Sequence, residues 1–221
     1  MDKIIYFEQG LPFWSELNNS EKEMIEQSSI KAKYEKGVLL HHSEQGCKGI
    51  MLVLSGQLRT YIVSDEGREV TLFRIRQGET CVLSGSCLMD SIVFDVMIEA
   101  VEDTEVITIP SSVLSQIMKE HSRVEVYLYK TAAERFSDVM WTMQQILFMG
   151  ADRRVAIFLW DELTKSKHTT ICLTHDEIAR YIGSAREVVT KVLKYFVQEG
   201  VVTLRRGKIE VIDKNKLRKY L

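Results

Sequence analysis

The chain has 221 residues, 45% hydrophobic and 27% charged, with a net charge of −2, the profile of an ordinary soluble protein of one or two domains. It lacks any apolar run of about 18 residues, and its start, MDKIIYFEQGLPFWSEL, has none of the regions of a signal peptide, so no membrane contact and a cytoplasmic location are expected. Cys47, Cys81, Cys87 and Cys172 form no Cys-x-x-Cys pair, which argues against a disulfide framework and against a structural metal.

Between residues 34 and 110, short runs rich in Val, Ile and Leu alternate with turns at Gly37, Gly46, Gly49, Gly56, Gly67 and Gly78, which predicts a small all-β unit. Residues 50–54, 57–63 and 69–75 are the clearest predicted strands, the last two joined as a hairpin through Asp65-Glu66-Gly67. Their even spacing predicts a barrel or jelly roll.

Residues 111–121 then read as one helix and 124–149 as a longer one. In the longer one Tyr129, Ala132 or Ala133, Phe136, Met140, Met143 and Leu147 advance by threes and fours, the seam of a coiled coil over roughly three heptads. Val124, Leu128, Val139, Trp141 and Ile146 fall outside that seam. One face is therefore expected to meet the β unit and another the same helix of a second subunit, giving a homodimer. The competing reading packs the whole stripe on the chain's own β unit.

In the C-terminal third, Thr174 precedes Glu177 at capping-box spacing, so a helix is predicted to start there. Ile178, Ala179 and Ile182 supply its apolar face and Gly183 ends it. Ser184 is the expected cap of a second helix whose apolar positions are Val188, Val189, Val192, Leu193 and Phe196. Arg186, Glu187, Thr190, Lys191 and Lys194 then face outward. Gly200 stops this helix, and residues 201–204 and 209–212 read as two short strands joined by the basic turn Arg205-Arg206-Gly207-Lys208.

Helix, turn, helix and basic wing suit a major groove, because Arg donates a fork of hydrogen bonds to guanine and Glu accepts from cytosine. Predicted base contacts are Arg186, Glu187, Thr190 and Lys191. Predicted phosphate contacts are Thr174, Ser184, Lys194, Arg205, Arg206 and Lys208. Charge is distributed accordingly: residues 150–221 hold 15 Lys+Arg against 9 Asp+Glu, and residues 1–149 hold 14 against 22. A basic end gains affinity for DNA by releasing counterions from phosphates.

The order of these parts resembles the Crp/Fnr family of bacterial transcription regulators across nearly the whole chain, most specifically in LTHDEIARYIGSAREVVTKVLKYF. The stretch VLSGQLRTYIVSDEGREVTLFRIRQGE is similar to the family's β-roll, a pattern shared by cyclic-nucleotide domains of many functions. The resemblance implies an α+β fold in three parts. Residues 1–121 would be an N-terminal double-stranded β-helix (jelly roll) that senses an effector, 122–149 a long dimerisation helix, and 150–221 a C-terminal winged helix-turn-helix. It also implies that Arg186 and Glu187 read bases, although Lys191 stands where the family usually has Arg and Val188 where it has Thr. A pseudo-palindromic operator in double-stranded DNA follows as the partner; the loop Lys165-Ser166-Lys167-His168 is read first as a solvated turn, with contact to RNA polymerase as the alternative. A hinge near residues 150–154 would re-aim the recognition helices.

In cyclic-AMP-binding members of the family a Gly-Glu-Leu turn holds the ribose and an Arg-Ser pair holds the cyclic phosphate. Here the stretch is VLSGSCLMDSIVFDV, with Leu83 near the Glu position and Phe94-Asp95 near the Arg-Ser pair. A desolvated phosphate needs a cation or a nest of donors. Phe94 and Asp95 offer neither, so cyclic AMP is not the expected effector. An N-terminal iron–sulfur cluster is not expected either, since residues 1–46 lack cysteine, and the histidines His41, His42 and His121 suggest haem by residue type alone. The resemblance places the candidate effector pocket at Cys81, Leu83, Ser84, Ser86, Cys87, Phe94 and Asp95, suited to a small organic molecule.

Two alternatives stand beside this reading. Cys81 and Cys87 read first as ordinary buried core cysteines but could instead act as a thiol-based redox or metal sensor, or the chain could be a binding module that regulates a protein partner. Catalysis is not expected: there is no His-x-His, and adjacent histidines on a strand face opposite sides.

Overall fold

A strand that is apolar at every position needs a core on both of its faces, and residues 50–54 meet that requirement. In the computed structural model, which describes residues 3–41, 48–89, 96–165 and 169–221, Ile50, Leu52 and Leu54 point into one buried cluster and Met51 and Val53 into another. The alternation of side chains along a strand divides the run between two cores.

The β-roll consists of β1 (Ile30–Tyr34), β2 (Leu39–His41), β3 (Ile50–Ser55), β4 (Gln57–Val63), β5 (Glu69–Arg76), β6 (Thr80–Cys81), β7 (Met97–Ala100) and β8 (Thr104–Ile109). They form two four-stranded sheets in the orders β1-β8-β3-β6 and β2-β7-β4-β5, the jelly roll expected. Leu58, Phe73, Ile75, Ile98 and Val106 fill the space between the sheets with Met51 and Val53.

The other face of β3 is covered by the N-terminal helices α1 (Lys3–Gly10) and α2 (Asn19–Ser28) and by α3 (Ser111–Met118). Phe7, Trp14, Ile25, Leu114 and Ile117 pack there with the start of α4 (Ser122–Phe148). Asn18 and Glu21 form a full capping box at the start of α2, which satisfies the free N–H groups of its first turn.

Helix α4 changes surroundings along its length. Val124, Leu128 and Thr131 are buried. Val126, Tyr129, Ala133, Phe136, Met140, Met143 and Leu147 are exposed and follow one another by threes and fours. The exposed seam is therefore the predicted one, extended half a heptad by Val126.

The chain divides into two compact units, residues 1–62 with 72–139 and residues 63–71 with 140–221. The second contains α5 (Ala151–Lys165), β9 (Thr170–Ile171), α6 (His175–Ile182), α7 (Arg186–Gln198), β10 (Val202–Arg205), β11 (Lys208–Val211) and α8 (Lys214–Arg218). Its core gathers Val155, Leu159, Ile178, Leu193, Phe196 and Val202, and its sheet has the order β10-β11-β9. Gly150 lies between α4 and α5 without a positive φ, so the glycine's special freedom is not used at that junction. Residues 166–168 of the loop considered for polymerase contact lie outside the described residues.

Candidate nucleic-acid interface

The helix-turn-helix is set by local chemistry. Thr174 Oγ1 accepts from Glu177 N at 3.1 Å, and a Glu177 carboxylate oxygen accepts from Thr174 N at 2.8 Å. Helix α6 ends at Gly183, whose φ of 60° is left-handed; a side chain there meets the steric penalty of that region. Free carbonyls at the end of α6 receive two guanidinium groups. Arg154 donates to Ile182 O at 2.8 Å and Arg68 to Gly183 O at 2.6 Å, and cations at a helix C-terminus also oppose its dipole.

Helix α7 starts at Arg186 with Ala185 as its cap and no side-chain cap bond. This corrects the expectation that Ser184 caps it; Ser184 sits one residue earlier and is half-buried. Val189, Leu193 and Phe196 are buried, whereas Val188 is 39% exposed. The apolar stripe is thus narrower than read from spacing, and Val188 joins the outward face with Arg186, Glu187, Lys191 and Lys194, all exposed. A valine on that face matches the methyl group of thymine.

Thr190 also differs from expectation. It is half-buried, its hydroxyl donates to Arg186 O at 2.9 Å, and it meets His175 Nδ1 at 2.9 Å. Sequence reasoning passed over His175, whose one signal was its position directly after the capping threonine of a reading motif. Burial first, then the positive charges of Arg186 and Lys194, hold the imidazole below its ordinary pKa.

Strands β10 and β11 pair from Val202↔Val211 to Arg205↔Lys208, which leaves Arg206-Gly207 as the turn. Gly207 has a φ of 69°, and Arg205, Arg206 and Lys208 are exposed. Between this wing and the starts of α6 and α7 lies a cleft of about 630 Å³ whose walls include Thr174, His175, Arg186, Arg205, Arg206 and Lys208. Asp176 also lines it and is paired with Arg180 at 3.5 Å. Cations outnumber carboxylates there, and a cleft that concentrates positive charge attracts polyanions.

Of the candidate effector residues, Cys81, Leu83 and Ser84 are buried. Cys81 and Leu83 pack into the core between the sheets, and Ser84 is buried with its hydroxyl donating to Cys81 O at 3.1 Å. Burial pushes the Cys81 thiol up in pKa. The pair weighed as a thiol sensor is not formed: Cys81 is a free, buried thiol, while Cys87 is exposed and engaged in a disulfide of its own. The physical reason is direction, since the Cys81 side chain leaves β6 towards the core. Phe94 and Asp95 lie outside the described residues, as does the side chain of Ser86. Among the described residues no three His, Cys, Asp or Glu side chains are grouped to hold a metal, and no helix is long and apolar enough to cross a membrane.

A helix-turn-helix with a basic wing, carried on one chain with a β-roll, defines a DNA-binding transcription regulator. Residues 153–220 match the Crp-like helix-turn-helix domain and residues 31–121 the cyclic nucleotide-binding domain. A crystal structure from Eubacterium rectale, described as a Crp/Fnr-family transcriptional regulator, is 44% identical with a TM-score of 0.89, covering 95% of this chain and 97% of that one. The cyclic AMP receptor protein of Thermus thermophilus is 26% identical over 203 residues, 92% of this chain and 93% of that protein. The transcriptional activator protein Anr of Pseudomonas aeruginosa is 26% identical over 186 residues, 80% and 75% of the two. The chain belongs to the Crp/Fnr family of transcription regulators.

Proposed function

We propose that the chain works as a homodimer reading a pseudo-palindromic operator, in the cytoplasm and beside RNA polymerase. Residues 1–121 form the effector domain, 122–149 the joining helix and 150–221 the reader. One observation carries the reading: Arg186, Glu187, Val188 and Lys191 stand exposed together on the first two turns of α7, with Val189 and Leu193 buried behind them. Arg186 reads guanine, Glu187 cytosine and Val188 a thymine methyl, while Lys191 supplies a further donor. Thr174, Ser184, Lys194, Arg205, Arg206 and Lys208 hold phosphates.

Dimerisation is supported by the exposed seam on α4, since Phe136 and Leu147 are each 64% exposed and a heptad stripe in water buries itself against a partner helix. The effector is a small molecule other than cyclic AMP, because Phe94-Asp95 lacks the cation a cyclic phosphate needs. It acts by favouring the DNA-competent state, through a change at residues 150–154. The test is Arg186→Ala and Glu187→Ala, each assayed on a duplex selected by the native protein. Each variant should lose about 1–3 kcal/mol of discrimination at one base pair per half-site with its far-UV dichroism unchanged. Unaltered base preference in both would refute the assignment.

A further inference from the structure

The Thr190 hydroxyl has one proton, and it is given to Arg186 O. Its contact with His175 Nδ1 at 2.9 Å therefore requires the imidazole to donate, which fixes the neutral ring as the Nδ1–H tautomer. The other ring nitrogen, Nε2, then carries only a lone pair. Among the described residues nothing bonds it, and the ring lines the cationic cleft between the wing and the recognition helix.

A phosphate oxygen is also only an acceptor. Two lone pairs repel, so a phosphate can hydrogen-bond Nε2 only after that nitrogen is protonated. We propose that His175 is a proton-dependent phosphate contact, so that each protomer takes up a proton as it seats on a duplex. This rests on the DNA-reading assignment above and adds a residue and a linkage to it.

The charges around the ring set the direction. On its own helix, Asp176 is paired with Arg180 and Glu177 is held in the capping box. From α7 the ring faces Arg186 and Lys194, and from the wing Arg205, Arg206 and Lys208 share its cleft. In the free protein partial burial, and then the charges of Arg186 and Lys194, oppose a further positive charge and hold the pKa below its ordinary value, so the imidazole is mostly neutral at pH 7. An entering phosphate offsets the cations and accepts from Nε2–H, which raises the imidazole pKa in the complex. Affinity then rises as pH falls through the interval between the free and bound pKa values. The limit is about tenfold per pH unit per protomer, the slope for one proton. Thr190 is the positioning residue, acting through the tautomer it imposes.

The experiment is an anisotropy titration of the full chain against a labelled mixed-sequence duplex at low, constant ionic strength, from about pH 6 to about pH 8.5, the range in which histidine titrates. Phosphate contact is independent of sequence, so no operator is needed. The native chain should bind more weakly as pH rises. His175→Gln should abolish that slope, and His175→Arg should bind with little pH dependence. Thr190→Val frees the Nε2–H tautomer, which donates without proton uptake, so its slope should shrink. A native slope retained in His175→Gln, or no slope in the native chain, overturns this inference alone. Absence of native binding at every pH overturns the DNA-reading assignment together with it.

Discussion

Phe136 sits in the middle of the exposed seam of α4 and is 64% exposed. A whole phenylalanine buries about 200 Å², so dimerisation has about 130 Å² of this residue to remove from water. At about 25 cal/mol per Å² that is about 3 kcal/mol in each protomer and about 6 kcal/mol in a symmetric dimer. Truncation to alanine removes roughly two thirds of the side-chain area, so Phe136→Ala should weaken the dimer by at most about 4 kcal/mol, about a thousandfold in Kd. Sedimentation equilibrium of the full chain measures this directly. Glu134→Ala, an exposed position on the same helix away from the seam, serves as control and should change little. A native monomer–dimer constant in Phe136→Ala, or an equal loss in Glu134→Ala, would refute the seam.

Two further outcomes follow from the geometry. Gly183→Ala forces a residue at φ 60° and brings a Cβ to 3.1 Å from Ile146 Cδ1; it should destabilise the chain by about 1–2 kcal/mol, read as a lower urea midpoint, and an unchanged midpoint would contradict it. Burial raises the Cys81 pKa, so less of it is thiolate at mildly alkaline pH than of an ordinary cysteine, whereas Cys172 is exposed. A thiol reagent should therefore label Cys172 at once and Cys81 only on unfolding, and equal rates would be inconsistent with a core thiol.

Much of the reader was legible because its signals are local. Capping-box spacing marked the start of α6, and Gly183 its end, since each works within one turn of chain. The strand bounds of β3, β4 and β5 were legible too, from apolar runs between turn residues. What escaped depended on partners distant in sequence. Spacing placed Val188 in a buried stripe, but which shoulder of α7 is covered is decided by α5, which packs on it from residues 151–165. The Thr190 hydroxyl looked free until its partner, 15 residues back, came beside it. Arg59 is buried and donates to Glu99 at 2.7 Å, a partner 40 residues away across β4 and β7, so no short window reveals it. The capping-box pair Asn18 and Glu21 is the same kind of local signal for the start of α2.

The most direct measurement is selection of bound duplexes from a randomised pool by the full-length chain, followed by sequencing. Enrichment of a pseudo-palindrome, with half-site centres about one helical turn (roughly 34 Å) or a small multiple apart, is the result this account predicts. Enrichment of a single asymmetric site, or none above the unselected pool, would contradict a dimeric reader built on α7.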